Sequence, residues 1–238
     1  MNIKEIFKEK NNTFLPNLSI DLVIIGYKDD VLKCLLLKIG EKWLLPGGYI
    51  RLDQSIDEAA QSILKQRTGL EGSYLKFLAV FGDKNRQFQK EMKAFFEKIN
   101  LEWREDYWFT NRFVSLAYYS LVDIEKTHPS VGHFDEAFEW FDFDKLPDIW
   151  MDHKSIATSA RARLKEVISH EEVTYKLLPK EFTMPELYKL HKVILEENIE
   201  RSRFQKKMIA TGMFERLPEL EKHKPGRNPY QYRIKTDL

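Results

Sequence analysis

The chain has one cysteine in 238 residues, Cys34, so no internal disulfide can form and no cysteine cluster can hold a metal. Cys34 sits in an apolar run and reads as a small buried hydrophobe. The histidines, at positions 128, 133, 153, 170, 191 and 223, are scattered without metal-ligand spacing, and no bound metal is expected. Long hydrophobic runs are missing too: the longest purely aliphatic stretch is Leu22–Ile25, far short of the roughly 20 residues that a membrane-spanning helix needs. The opening MNIKEIFKEKNN alternates charges and has no apolar core, so neither an anchor nor a secretory signal is read there; a cytoplasmic location without membrane contact is expected. Internal repeats and low-complexity runs are absent. Overall charge is nearly balanced at +1, but the balance is not local. From Lys176 to Leu238, 14 Lys/Arg stand against 9 Asp/Glu, which leaves the first 175 residues at −4. A basic tail on an acidic body points to nucleic-acid contact by the tail.

What is present is a globular composition, 43% hydrophobic, long enough for one large domain or two smaller ones. Strand-like runs stand at LSIDLVIIGY (18–27) and VLKCLLLKIG (31–40), joined by a hairpin-like turn at KDD. Further runs are YLKFLAVFGD (74–83), RFVSLAYYSLV (112–122) and AFEWFDF (137–143). Between them, Ser55 and Glu58 form a capping box. Ile56, Ala59, Ala60, Ile63 and Leu64 then give a helical apolar stripe, which Gly69 stops. A second helix is expected over 153–168, and a 25-residue segment, 87–111, separates two strands with helical spacing at Phe88, Met92, Phe95, Phe96 and Ile99. A connection that long is usually functional or structured in its own right; its aromatics Trp103, Tyr107, Trp108 and Phe109 suit burial, a pocket wall or a dimer surface.

After Ser169 the pattern changes. Thr183 and Glu186 make a second capping box with Pro185 in the first turn, and ERSRFQKKMIATGM (200–213) follows after a short turn near Asn198. FERL and YQYRIK read as two strands joined by PELEKHKPGRNP. Helix, turn, helix and β-hairpin together read as a winged helix.

The stretch LLPGGYIRLDQSIDEAAQSILKQRTGL (44–70) carries the most specific signal. Gly48, Leu64, Gly69 and Leu70 fall at the glycine and aliphatic positions of the Nudix box, and LPGG and EAA stand where many members of that family have them. The family's acids are missing: Gln54 replaces the first Glu, Ser62 the Arg, Ile63 the next Glu, and Gln66 and Arg67 the final pair. The family's carboxylates hold Mg²⁺ and help activate water; Ile and Arg cannot act as ligands for such a hard cation. Asp57 and Glu58 remain, but stabilising the helix N-terminus accounts for them.

A decayed box followed by this tail resembles the Nudix-related transcriptional regulators. The resemblance spans nearly the whole chain, through LLPKEFTMPELYKLHKVI, ERSRFQKKM, FGDKNR, RFVSLAYYSLV and GRNPYQYRI. It implies an α/β Nudix fold, a mixed sheet sandwiched by helices, over residues 1–170 with the insertion 87–111, and a C-terminal winged helix-turn-helix domain over 171–238. It further implies a homodimer on a double-stranded DNA operator and a small-molecule effector, a sugar or ADP-ribose-like nucleotide; no cofactor and no catalysis are expected. DNA contact falls to Ser202, Arg203, Gln205, Lys206 and Lys207 on the second helix of the tail and to Lys224 and Arg227 in the wing. The effector is expected near the box, against Lys38, Trp43, Arg86, Arg112 and Tyr118; paired arginines suit a phosphate or sugar hydroxyls, while salt bridges and core packing remain open readings. Two other classes stay open: a metal-dependent Nudix hydrolase of nucleoside diphosphate derivatives with ligands from outside the box, and a module whose winged helix docks on a protein.

Overall fold

Residues 20–25, IDLVII, alternate between two faces of a buried strand, and the layers follow from that alternation. The computed structural model describes residues 13–72, 75–98, 100–105, 107, 110–131, 135–168, 172–220 and 228–235. Ile20, Leu22 and Ile24 belong to one core, together with Leu35, Ile50, Ala59, Ala60, Ile63 and Leu64. Val23 and Ile25 belong to the other, with Cys34, Leu36, Ala117 and Tyr119. A strand with a helix on each face is apolar on both, which explains the unbroken run Leu22–Ile25 that follows the buried Asp21.

That strand is β1 (Phe14–Lys28), followed by β2 (Val31–Ile39), β3 (Lys42–Leu44), β4 (Gly47–Arg51), helix α1 (Ile56–Thr68), β5 (Lys76–Phe81), α2 (Gln89–Lys98), β6 (Val114–Val122), β7 (Ala137–Asp142) and α3 (His153–Val167). Asp29 and Asp30 both take positive φ, 53° and 58°, in the two-residue turn that pairs Lys28 with Val31. Such turns match the twist of the strands they join. β1 runs parallel to β6 from Leu18–Val114 to Gly26–Val122 and antiparallel to β2 and β4, so the seven-stranded sheet is mixed.

β1 and β2 part after their turn. Cys34 pairs both with β1 and with β7, and Lys38 pairs both with β3 and with β7, so β1 and β3 share one edge of β2. β4 in turn shares an edge of β1 with β2, since Ser19–Asp21 pair with β4 and with β6. The short strands β3 and β4 therefore fill a fork between β1 and β2. Sequence reading finds neither, because three and five residues carry too little periodicity.

α1 is built as its sequence requires. Ser55 accepts from Glu58 N–H, Glu58 accepts from Ser55 N–H at 2.8 Å, and Gly69 closes the helix at φ 70°. Burial begins at Ala59, however; Ile56, expected in the apolar stripe, is 42% exposed. α3 covers the opposite face through Ile156, Ala157, Ala160, Leu164 and Val167. Cys34 is fully buried there, which pushes its thiol up to about 12.

The same core continues without a break into the C-terminal unit. A 3-10 segment (Glu172–Leu177) leads to β8 (Phe182–Thr183), α4 (Met184–Leu195), α5 (Arg201–Ala210), β9 (Phe214–Glu219) and β10 (Tyr230–Ile234), with β10 between β8 and β9. Helix, turn, helix and small sheet make a winged helix; its third strand, β8, is two residues long and goes unseen in the sequence. Tyr175, Phe182, Leu187, Leu190, Phe204 and Met208 fill its interior.

His191 is almost fully buried in α4, its ring 4.9 Å from that of Phe204 and 6.0 Å from that of Tyr175, and its Nε2 has no hydrogen-bond partner. Burial, reinforced by Lys207, lowers its pKa to about 4. The unfolded chain binds this proton near pH ~6.5, so between there and about pH 4 the unfolded state holds more protons and stability falls as pH falls. The loss should approach about 3 kcal/mol. His153, also lowered by burial, adds a loss of the same sign. Urea unfolding at pH 7 and pH 5 should show the wild-type midpoint dropping and His191→Phe dropping by much less; an equal drop in both would refute the assignment.

Candidate functional site

Where β1 and β2 fork, a cavity of about 900 Å³ opens between β4, α1 and the segment 86–113. Gly47 and Gly48 form its inner edge, where there is little room for a side chain: a Cβ on Gly47 would stand 2.6 Å from Asp21 Oδ1 and 2.9 Å from the Ile20 carbonyl, and one on Gly48 would stand 3.0 Å from Ile63 Cγ1. Gln54, Ser62, Ile63, Gln66 and Arg67, the five positions where the Nudix pattern has charged residues, all line this cavity.

Their chemistry is that of a site without metal donors. Ile63 packs on Gly48, and Gln66 Nε2 donates to Ser62 Oγ at 2.8 Å. Arg67 donates from Nε and Nη2 to the two oxygens of Asp135, at 2.8 and 2.6 Å, and from Nη1 to the carbonyl of Gly47. The Asp135 side chain is fully buried, so this bidentate pair is the main compensation for its charge. The carboxylates left on α1 face elsewhere: Glu58 is spent on the cap, and Asp57 accepts from Tyr118 Oη at 3.3 Å. Mg²⁺ wants several anionic oxygens, and the α1 face toward the cavity offers none; the residues present do not fit it. Among the described residues no group of three or more His, Cys, Asp or Glu is placed to hold a metal ion.

A buried polar floor lies opposite. Arg86 donates to Asp152 from Nε at 2.6 Å and Nη2 at 3.1 Å, and to the Phe113 carbonyl from Nη1 at 3.3 Å; Asp21 lies 3.5 Å from Nη2. Ser115 Oγ donates to Asp21. His153 Nδ1 accepts from Leu45 N–H at 3.1 Å, and its Nε2 faces Asp21 Oδ1 at 3.5 Å. Burial lowers the His153 pKa against the opposing pull of Asp21, so the ring is neutral with its proton on Nε2.

Of the effector residues expected from sequence, Arg86 lines the cavity, already paired with two carboxylates. Lys38, Trp43, Arg112 and Tyr118 do not line it. Lys38 and Trp43 each stand one residue before a lining residue, Ile39 and Leu44, and a one-residue step along a strand reverses the side chain. The Lys38 ammonium instead lies over the Trp43 ring, which packs edge-on against Phe141. Arg112 is exposed, between the lining residues Asn111 and Phe113, and Tyr118 joins the α1 core. Sequence reasoning missed Tyr49, Asn111 and Phe113. Tyr49 was within reach, since YIR follows the glycines directly, whereas the other two depend on where the chain re-enters the sheet.

On α5, Phe204 and Met208 are buried, while Ser202, Arg203, Gln205, Lys206 and Lys207 are exposed. Ser202 and Arg203 donate their N–H groups to Glu200, the N-cap, and Ser202 Oγ donates to it at 2.7 Å. Lys224 and Arg227 lie outside the described residues. No described helix is long and apolar enough to cross a membrane.

Comparison with known proteins agrees with both halves. Residues 174–234 match the family model described as the NrtR DNA-binding winged helix domain. Over 216 residues the chain is 25% identical to the ADPR responsive transcriptional repressor NtrR of Acinetobacter baylyi, covering 87% of this chain and 78% of the relative. Among solved structures, a MutT/nudix family protein from Enterococcus faecalis superposes with a TM-score of 0.69 at 22% identity, over 99% of this chain and 94% of the other. Shewanella oneidensis NrtR complexed with a 27mer DNA superposes with a TM-score of 0.65, also at 22% identity, over 92% and 94%. These structures share the fold: a mixed, helix-flanked Nudix sheet with a winged helix after it.

Replacing Arg67 by Met would leave Asp135 buried and unpaired, at a cost of about 3–5 kcal/mol. Adding Asp135→Asn should restore most of the loss, because no buried charge then remains. Thermal melts of the single and double variants check this; equal destabilisation of both would contradict the role given to the pair.

Proposed function

We infer that this chain is a Nudix-related transcriptional regulator, a DNA-binding protein whose Nudix domain senses a small-molecule effector and does not cleave it. The observation that carries the reading is the conjunction of two surfaces. One is a Nudix frame whose metal-binding positions hold Ile63, Gln66 and Arg67, the last tied to Asp135. The other is a winged helix whose α5 exposes Arg203, Gln205, Lys206 and Lys207. The effector is a sugar or an ADP-ribose-like nucleotide; the curated relative, an ADPR responsive repressor, supports the nucleotide.

On this reading the sensor comprises residues 1–170 and the DNA-binding unit 171–238, in the cytoplasm. Arg203 reads base edges, Ser202 and Gln205 support it, Lys206 and Lys207 neutralise phosphates, and Lys224 and Arg227 extend the contact from the wing. Two copies form a homodimer on successive half-sites, about 34 Å apart on B-DNA. The effector sits in the cavity and shifts the population of arrangements in which both copies reach their half-sites. On this reading the chain is not an enzyme: the cavity face of α1, where the box would hold Mg²⁺, carries no anionic donor.

Operator fragments selected from the genome with the purified protein provide the test. Arg203→Ala should weaken specific binding by roughly 1–3 kcal/mol, and Lys206→Ala should reduce the slope of log affinity against log salt by about 1. Binding that does not vary with salt would point instead to a protein partner. Mg²⁺-dependent turnover of ADP-ribose would revive the hydrolase reading.

A further inference from the structure

The cavity has two unlike halves. Toward the box it presents the neutral hydrogen-bonding side chains Gln54, Ser62 and Gln66 beside the paired cations Lys65 and Arg67. Toward the insertion it presents Phe88, Met92, Phe95 and Trp150, with Phe95 and Trp150 in ring contact at 5.3 Å. Met92 and Phe95 come from α2, which is anchored by its own cluster with Phe96, Trp103 and Tyr107, so this wall is a built part of the molecule.

The cations of the lining already face carboxylates. Arg67 is held by Asp135 and Arg86 by Asp152, both inside; Lys65 lies 2.9 Å from Glu71 and Arg51 3.0 Å from Asp53 at the rim. Among the described lining residues a diphosphate would find no uncompensated buried cation, and Asp21 close by. Burying such an anion without a partner is strongly unfavourable. Size adds a second constraint: about 900 Å³ is near the upper end of small-molecule sites, and one sugar ring fills little of it.

We propose that the cavity binds an uncharged glycoside, a sugar carrying an aromatic or comparably apolar group. The sugar lies against the hydroxyls and amides beside the box, and the apolar group lies under Phe88, Met92 and Phe95. Resting on the reading of this cavity as the effector site, the assignment makes the insertion the element that sets specificity.

Calorimetric titration of the full chain tests it, with free pentoses and hexoses, their 4-nitrophenyl glycosides, uncharged nucleosides and ADP-ribose as probes. At least one aryl glycoside or nucleoside should bind about tenfold or more tighter than its parent sugar; which of the two does so identifies the apolar group. Phe88→Ser should cut that advantage to about threefold or less with the parent sugar's affinity unchanged, and Gln66→Ala should weaken both alike. Phe88 is only half-buried; Met92→Thr repeats the measurement independently should Phe88→Ser melt early. Parent sugars binding as tightly as their glycosides, no neutral probe binding at all, or tight binding of ADP-ribose without its nucleoside would each overturn the inference. Loss of the regulator reading is separate: it would show as no salt-dependent operator binding, whatever the cavity holds.

Discussion

The guanidinium of Arg67 is a positive charge covalently fixed to the helix face where a Nudix hydrolase would bring in a mobile one. It joins three parts of the molecule at once: α1, which carries it; the Gly47 carbonyl on β4; and Asp135, just before β7. Because Asp135 is buried, the pair cannot be broken cheaply, and helix, glycine edge and loop keep their spacing without a metal. The cavity keeps its shape for the same reason, its inner edge narrowed until only glycine fits beside Asp21.

From the cavity floor, α3 leads directly to the winged helix. Its first residue, His153, hydrogen-bonds Leu45 beside Asp21, and its N-cap Asp152 holds Arg86. Farther along, Arg161 and Lys165 both pair with Glu196, which caps α4 in a left-handed conformation. Lys189 on α4 reaches back to Asp30 in the β1–β2 turn at 2.7 Å. These pairs are exposed and individually weak, but they lie over a continuous apolar core that runs from the sheet through α3 into the winged helix. Floor and winged helix thus share one helix and one core.

Much of this is legible in the sequence where local chemistry decides it. The caps of α1 and α4, the glycine stop, the β1–β2 turn and the apolar rows of α3 all stand where residue type and spacing put them. The vacated acids of the box are plain as well, but not what replaces their charge: Arg67 finds Asp135 across 68 residues, a pairing set only by the fold. The same holds for Arg86 and Asp152. Placing Lys38, Trp43, Arg112 and Tyr118 required strand register, in which a step of one residue changes the face, and register came from pairings distant in sequence. The insertion reads as helical from spacing alone, yet that it walls the cavity with Met92 and Phe95 emerges only from the packing of α2.

Glu200 at the start of α5 has an implication for how nucleic acid is approached. The exposed amides at a helix start are a natural seat for a phosphate, but here Glu200 already occupies the amides of Ser202 and Arg203. An incoming backbone oxygen would meet a like charge there and be turned toward the later residues of the helix. On the proposed reading, grip on the polymer would fall to the long exposed side chains of α5, Arg203, Lys206 and Lys207.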